Sequence, residues 1–173
     1  MLAIANGELD KLSDLFDRYH VKIYNFFQKM NYNKVVSEDL TQEVFIKVLK
    51  HRTSYKNGNF TSWIYTIARN IFFDYYKKHK KEQTSNIEEH QISSEELSFT
   101  ENHQEELEYL QTCLQKLKTS DRELIIMHKI QGIKYEQIAE ITGSSANAVK
   151  VKTHRVLNKL KEIYFQSTEI KSN

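Results

Sequence analysis

The sequence predicts an all-α protein made of two small helical domains joined by a flexible acidic linker, the second domain being a helix-turn-helix. The 173 residues include no proline and only four glycines, so the strongest helix breakers are nearly absent. Apolar residues recur at three- and four-residue spacing in several separate stretches, and no alternating apolar and polar run demands a sheet. A cluster of acidic residues lies between two basic regions, which indicates a boundary between domains.

Charge divides the chain into segments with different expected roles. Residues 51–82 carry seven basic and two acidic side chains, and residues 110–173 carry eleven and six. Residues 83–109 carry eight acidic side chains and no basic one. Basic surfaces attract nucleic-acid phosphates, whereas an acidic connector is repelled by them. The expected boundaries are a first domain over 1–82, a linker over 83–104 and a second domain over 105–165.

Residues 8–31 and 37–49 are predicted to form the first two long helices. The leucine and phenylalanine side chains of the first helix share one face, which is typical of a helix that packs on a core. Ser37 is expected to cap the second helix, and Glu38 and Asp39 in its first turn complement the helix dipole. The acidic residues at this end indicate either a charge-complemented helix start or a docking surface for another protein.

A loop over 51–59 leads into a helix over 60–81 that is rich in aromatic residues and ends in the basic run KKHKK. Trp63, Ile67 and Ile71 are expected in the core because they are four residues apart. The remaining rings are too many for one buried face. Rings beside lysines suit stacking of unpaired bases with phosphates held nearby. A simple core helix with a solvated basic end is the alternative.

Two helices are predicted before the helix-turn-helix. The first covers 102–117, and Cys113, the single cysteine, is expected to be a small buried residue within it. Its apolar stripe consists of Leu107, Leu110, Leu114 and Leu117. The second is expected to be capped by Thr119 or Ser120.

Residues 132–160 have the pattern of a helix-turn-helix. Gly143 can take the positive φ that ends a helix, and Ser144 and Ser145 are good caps for the helix that follows. That second helix carries polar and basic side chains opposite its apolar stripe, as does a helix that enters a DNA major groove. A solvated helical hairpin with a lysine-rich outer face is the alternative interpretation.

Several classes of function lack support in the sequence. The seven histidines are scattered without metal-ligand spacing, and neither a glycine-rich phosphate loop nor a nucleophile with its base is recognisable. We therefore expect no enzyme, no cofactor and no small-molecule substrate. No stretch has the length of a membrane span, and no secretory signal is recognisable, which favours a cytoplasmic protein without membrane insertion.

Three stretches resemble the extracytoplasmic-function (ECF) sigma factors, small initiation factors of the bacterial sigma-70 family. Residues 37–55 contain the core E-D-L-x-Q-E-V-F of the family's first domain, and residues 60–76 contain its core W-I/L-Y-x-I-A-R-N. Residues 117–160 resemble the second domain through the segments DRE, YEQIAE and AVK. The matches cover most of residues 8–162 and follow the family's order, which makes their combination highly specific.

The resemblance implies that the protein binds bacterial core RNA polymerase and directs it to promoters, and that an anti-sigma factor inhibits it. The first domain would read melted −10 DNA and the second would read double-stranded −35 DNA. The residues implied to bind core polymerase are Asp39, Leu40, Gln42, Glu43, Phe45 and Val48. Those implied to contact the −10 element are Asn57, Asn59, Phe60, Trp63, Tyr65, Asn70, Lys77 and Lys78. Those implied to contact the −35 element are Ser145, Asn147, Lys150, Val151, Lys152, His154 and Arg155.

Within the −35 set, different side chains are expected to do different work. Arg155 suits bidentate reading of guanine, whereas Lys150 and Lys152 hold phosphates, which position the protein without specifying sequence. The family commonly has serine where Val151 stands, so an apolar contact to a thymine methyl is expected there. Lysines also replace many of the family's arginines, which removes bidentate geometry.

A helix-turn-helix transcription regulator that acts without core polymerase is the main alternative class. It predicts a receiver or ligand-binding domain in residues 1–100, where no alternation of strands and helices is visible. A recombinase or nuclease needs clustered catalytic groups that the sequence does not suggest. A helical adaptor would leave the two aligned basic domains unexplained.

Overall fold

The computed structural model describes residues 1–56, 58–83 and 101–169. Among these residues the regular elements are all helices, so the all-α prediction is confirmed. Asn57 and most of the expected linker, residues 84–100, lie outside the described residues. The chain divides into a first unit, Met1–Ile92 with Glu140–Gly143, and a second unit, Ser93–Ala139 with Ser144–Asn173.

Three long helices form the core of the first unit. Its elements are α1 (Leu2–Ala5), α2 (Lys11–Asn31), α3 (Lys34–Lys50), a 3₁₀ turn (Arg52–Ser54) and α4 (Phe60–Gln83). Helix α3 packs against both α2 and α4, and α1 packs against the 3₁₀ turn. Aromatic side chains fill much of the core between them. Phe26 meets Tyr65 edge to face at 5.6 Å between ring centroids, and Phe27 stacks with Phe72 at 6.5 Å.

The inner face of α4 differs from the predicted one. Ile71 is buried as expected, but Trp63 and Ile67 are only partly buried. The buried positions of the helix are Ser62, Ile64, Tyr65, Ala68, Ile71 and Phe72. The core stripe is therefore turned by about one residue from the predicted stripe. Because α4 has apolar residues on most of its surface, its packing against α2 and α3 decides which face is buried.

Helix α3 begins three residues before its predicted start. Asn33 has an extended backbone, with φ −123° and ψ 116°, and its Oδ1 accepts the Val36 N–H at 3.0 Å. Ser37 lies in the helix, where it is buried and its hydroxyl donates to the Asn33 carbonyl oxygen at 2.6 Å. The prediction that Ser37 caps the helix is wrong because Asn33 satisfies the free N–H group first.

The second unit has a small core beneath its longest helix. The elements that follow the described gap are α5 (Glu101–Gln115), α6 (Thr119–Ile125), a π-helical turn (Ile126–Ile130), α7 (Tyr135–Thr142) and α8 (Ala146–Glu169). Cys113 is fully buried, as predicted. It packs in a cluster with Leu114, Leu117, Ile125, Val156 and Leu160. Leu107 and Leu110 are exposed, so only the C-terminal half of the predicted α5 stripe enters the core.

The turn between α7 and α8 has the predicted chemistry. Gly143 has a φ of +66°, and the Ser144 N–H donates to the Ala139 carbonyl oxygen at 3.0 Å. The Ser145 hydroxyl oxygen accepts the Ala148 N–H at 3.2 Å, which caps α8. The helix that follows reaches residue 169, beyond the helix-turn-helix pattern that covers residues 132–160.

Replacing Gly143 tests the turn between α7 and α8. Nothing lies within 4 Å of a Cβ added at Gly143, so the cost of Gly143→Ala is the left-handed backbone alone. We expect a loss of about 1 kcal/mol in the free energy of unfolding, measured by denaturant titration followed by circular dichroism. The control is Gly58→Ala, which also meets open space but lacks a positive φ. Equal losses in both variants would contradict this account.

Candidate polymerase and nucleic-acid interfaces

The polar residues predicted to bind polymerase lie on the exposed face of α3. Asp39, Gln42 and Glu43 are exposed and follow each other at helical spacing. Glu43 pairs with Lys47 one turn later at 3.1 Å, an exposed pair that contributes little to stability. These carboxylates and the amide are therefore exposed to solvent, and they contribute little to the stability of the fold.

The apolar residues of the same predicted set point inward. Leu40, Phe45 and Val48 are buried, so in this structure they hold α3 in place. The apolar surface beside the carboxylates comes instead from Ile46, which is 51% exposed, and from Phe16, which is 42% exposed. The Phe16 ring contacts that of Phe45 at 4.8 Å between centroids.

The exposure of Phe16 and Ile46 was not predicted from the sequence. Phe16 lies on the apolar stripe of α2, where a core position was the natural reading. Val44 and Phe45 are both buried, and Ile46, which lies about 100° further round the helix, is exposed. The sequence does not indicate that Phe16 and Ile46 are exposed, because the burial of each side chain depends on the helix that packs opposite it.

A cluster of four aromatic rings lies at the start of α4. Phe60 contacts Tyr19 at 5.0 Å, Tyr55 at 5.8 Å and Trp63 at 5.8 Å between ring centroids. Tyr55 and Trp63 also meet each other edge to face at 5.4 Å. The Tyr19 hydroxyl lies 3.3 Å from that of Thr61, which ties α2 to the first turn of α4. We name these four residues the ring cluster.

Short-range hydrogen bonds shape the loop that leads into the ring cluster. The Tyr55 hydroxyl donates to the Gly58 carbonyl oxygen at 2.5 Å. Asn59, one of the predicted −10 contacts, uses its Oδ1 to accept the Ser62 N–H at 3.1 Å and so caps α4. Burial and the neighbouring Tyr19 raise the pKa of Tyr55, so its hydroxyl stays protonated as a donor. Asn57 lies outside the described part of the loop.

An open cavity of about 370 Å³ borders the ring cluster. Its walls come from residues 1–3, Leu15, Arg18, Tyr19, Tyr55 and Phe60. The volume lies in the lower range of pockets that hold small organic groups. The sequence could not reveal this cavity because three separate segments of the chain form it.

Three of the predicted −10 residues lie along one face of α4. Trp63, Asn70 and Lys77 follow at intervals of seven residues, which is nearly two helical turns and about 10 Å. Asn70 and Lys77 are exposed, Trp63 is partly exposed, and Lys78 is exposed beside them. The face therefore carries a ring, an amide and two cations in that order from the start of the helix.

Tyr65, another residue predicted to contact the −10 element, lies on the opposite face of α4. It is 1% exposed and packs against Phe26, and burial raises the pKa of its hydroxyl. Its ring therefore presents no face to solvent in this structure. The aromatic character of Tyr65 contributes to the core that supports the helix.

The outer face of α8 matches the predicted −35 set. Asn147, Lys150, His154 and Arg155 are exposed, and Val151 is 62% exposed. The opposite face is buried through Val149, Thr153, Val156 and Leu160. Ser145, also in the predicted set, is exposed and caps the helix. One side of α8 thus packs on its unit while the other is free to contact a ligand.

Lys152 differs from the other members of the −35 set. It lies on the flank of α8 next to buried Thr153, and its Nζ forms an ion pair with Asp121 Oδ1 of α6 at 3.3 Å. The sequence predicts a phosphate contact for Lys152, whereas Asp121 enters the prediction only through the DRE segment that resembles the family's second domain. The pairing joins residues thirty-one positions apart, so no local signal in the sequence could indicate it.

Two features of the described residues bear on other classes of function. Within residues 1–56, 58–83 and 101–169, no three His, Cys, Asp or Glu side chains come together in a way that could hold a metal ion. In the same part of the chain, no helix combines the length and apolar character needed to cross a membrane.

Comparison with known families identifies both units. The model of sigma-70 region 2 matches residues 15–82, and that of sigma-70 region 4 matches residues 107–160. The RNA polymerase sigma factor YlaC of Bacillus subtilis is 30% identical over 169 residues, which cover 92% of this chain and 95% of YlaC. The ECF RNA polymerase sigma factor SigM of the same species is 30% identical over 156 residues, covering 88% of this chain and 94% of SigM.

Solved structures give the same fold. The sigma factor RpoE of Bartonella quintana, determined with the anti-sigma factor NepR, superposes with a TM-score of 0.73 at 24% identity. That superposition covers 87% of this chain and 94% of RpoE. CnrH, determined with the cytosolic domain of CnrY, gives a TM-score of 0.72 at 21% identity, covering 92% of this chain and 91% of CnrH.

Region 2 followed by region 4 defines an RNA polymerase sigma factor of the sigma-70 type. The chain belongs to the ECF sigma factors of the sigma-70 family, as its motifs indicated. The alternative class, a helix-turn-helix regulator that acts without core polymerase, finds no support in these comparisons.

Trp63, the single tryptophan, makes the ring cluster open to a direct optical test. Phe60→Ala removes a ring that contacts Trp63, so more water reaches the indole and its emission is expected to move to longer wavelength. The helical circular dichroism should stay unchanged. The control is Phe73→Ala, on the same helix about 15 Å from Trp63. Unchanged emission in Phe60→Ala would contradict the cluster.

Proposed function

We propose that this chain binds bacterial core RNA polymerase through its first unit and directs it to promoters by reading two DNA elements. The observation that supports this proposal is that one chain carries two exposed faces suited to different forms of nucleic acid. The ring cluster and the α4 face suit unpaired bases, and the outer face of α8 suits a duplex major groove. The chain acts as an initiation factor, and we assign it no chemistry of its own.

Core polymerase is proposed to dock on the exposed face of α3. Asp39, Gln42 and Glu43 provide charge and hydrogen-bonding groups, while Ile46 and Phe16 provide apolar surface beside them. A small apolar centre with a charged rim is typical of protein interfaces. Leu40, Phe45 and Val48 support this face from below, so their part in polymerase binding is indirect.

The melted −10 strand is proposed to run along α4 from the ring cluster toward Lys77 and Lys78. An unstacked base placed against Phe60 or Trp63 recovers part of the cost of leaving the duplex, since stacking on an aromatic ring contributes about 1–3 kcal/mol. The cavity beside Phe60 offers room for such a base, and Arg18 at its wall could meet a phosphate. Asn70 lies between the rings and the lysines and is suited to a base edge.

The −35 duplex is proposed to receive α8 in its major groove. Arg155 can give two parallel hydrogen bonds to guanine, and exposed Val151 can contact a thymine methyl. Lys150 and His154 extend the polar surface, and Asn147 lies near the start of the helix. Ser145 caps that start, so its contribution includes fixing where α8 begins.

An anti-sigma factor is proposed as the inhibitory partner. RpoE and CnrH, which share this fold, were each determined with a second protein, an anti-sigma factor in the case of RpoE. Here such a partner would act by covering the polymerase-binding surface or the DNA-binding surfaces. Because bacterial polymerase works in the cytoplasm, we assign the chain to that compartment.

Polymerase binding is tested by reconstitution. The wild-type chain is expected to bind purified core polymerase and to support specific initiation only together with it. Combining Asp39→Ala with Glu43→Ala removes two carboxylates of the proposed docking face and is expected to weaken binding about tenfold, or about 1.4 kcal/mol. Binding is measured by titrating labelled chain with core enzyme.

The control for that measurement combines Asp14→Ala with Asp17→Ala. These two carboxylates are also exposed in the first unit but lie on α2 outside the proposed docking set. They should leave affinity within twofold, about 0.4 kcal/mol. Equal affinity of the α3 variant and the wild type would refute the docking face, and a wild-type chain that binds no core enzyme would refute the function itself.

Promoter reading is tested with Arg155→Ala. Loss of a bidentate guanine contact is expected to reduce transcription from a −35-dependent promoter by about tenfold or more, corresponding to about 1–3 kcal/mol. Affinity for core polymerase should be unchanged. Lys161→Ala removes a cation from an exposed position of the same helix outside the −35 set and serves as the control. A loss of polymerase binding in Arg155→Ala would count against the assignment.

A further inference from the structure

Lys152 and Asp121 form an ion pair at the edge of the proposed −35 surface. The pair joins Lys152 Nζ of α8 to Asp121 Oδ1 of α6 at 3.3 Å. The lysine side chain is 38% exposed and the aspartate side chain 16% exposed. The carboxylate is therefore held largely within its unit, while the ammonium group remains accessible at the rim.

The position of Lys152 on α8 gives this pair its significance. Lys150, Val151, His154 and Arg155 point outward, whereas Thr153 points into the core, so Lys152 lies between the two faces. When a helix enters a major groove, its outer face meets base edges and its flanks run beside the phosphate strands. Lys152 is thus placed for a phosphate contact, but its charge is already matched by Asp121.

We propose that Asp121 sets the DNA affinity of the second unit by competing with a phosphate for Lys152. The inference rests on the proposed reading of −35 DNA by α8 and adds to it a residue that touches no base. The ammonium group of this ion pair is open to solvent, so a phosphate can compete with the carboxylate for it. Asp121 remains beside the DNA backbone after displacement, and its negative charge repels the phosphates.

Two consequences follow from this competition. Binding releases fewer counterions than the number of cations on α8 suggests, because one cation starts with an internal partner. Affinity for every duplex is lowered by a similar factor, since phosphate contacts carry no sequence information. Discrimination between promoters therefore depends more strongly on Arg155 and the other base contacts, and on tethering by polymerase.

The test uses holoenzyme assembled from core polymerase and the full chain, with wild-type or Asp121→Asn sigma. The probe is a duplex carrying a promoter from which the wild-type holoenzyme initiates, and a second duplex has its −35 element scrambled. Affinities are measured between about 50 and about 200 mM salt. One added phosphate contact steepens the logarithmic salt slope by about 0.9, so the variant should lose affinity about 3.5-fold more over this range.

The ratio of affinities for the intact and scrambled duplexes should stay the same in Asp121→Asn. A matched control, Glu162→Gln, removes a carboxylate from the same unit ten residues beyond Lys152 on α8. That distance is about 15 Å, beyond the screening length of about 10 Å at 0.1 M salt, so its slope should match the wild type.

A double variant separates competition from a general charge effect. In the wild-type background, Asp121→Asn should raise the affinity for DNA and steepen the salt slope. In the Lys152→Gln background, adding Asp121→Asn should change neither the affinity nor the slope. A gain that persists in the double variant, or an unchanged slope in Asp121→Asn, overturns the inference. A wild-type holoenzyme that does not distinguish the scrambled −35 duplex contradicts the proposed function, which is a different result.

Discussion

The packing of α4 against α2 and α3 is the constraint on which the first unit depends. Contacts such as Phe26 with Tyr65 and Phe27 with Phe72 fix the rotation of α4 about its own axis. Each residue turns a helix by about 100°, so a shift of one position would expose Tyr65 and bury Trp63. The core thus decides which of the aromatic side chains of α4 remain exposed for the proposed contact with DNA.

In the second unit, too, core packing determines which face of a helix is exposed, and here the buried and exposed faces of α8 are clearly separate. Val149, Thr153 and Val156 anchor α8, and this anchoring leaves Lys150 and Arg155 on the outside. Lys152, which pairs with Asp121, lies at the border between the buried and the exposed face of α8. In each unit, then, the proposed DNA-binding surface is the part of a helix that the core leaves exposed, so its geometry depends on the packing beneath it.

Features that form within a few residues could be predicted from the sequence, whereas features that depend on contacts between distant segments could not. Gly143 and Ser145 were interpretable because a glycine C-cap and a serine N-cap act within a few residues, and the α8 face followed from a clear apolar stripe. The rotation of α4 was not, since apolar side chains lie on several sides of the helix between residues 60 and 76 and only tertiary packing selects among them. Likewise Leu40 and Phe45 belong to the family motif and Val48 follows it, yet only the structure reveals that all three lie in the core. The cavity beside Phe60 and the Asp121 pair join distant segments, which no spacing rule describes.

Because the buried and the exposed face of α8 are separate, the exposed side chains can change in evolution while the core of the unit is kept. Exposed side chains such as Val151 and His154 take no part in the core, and surface substitutions of this kind usually alter stability by no more than about 0.5 kcal/mol. A duplicated gene could therefore drift at these positions without losing the fold. Copies with different exposed side chains on α8 would direct the same polymerase to different sets of promoters. A few substitutions on one helix would then be enough to create a new regulon.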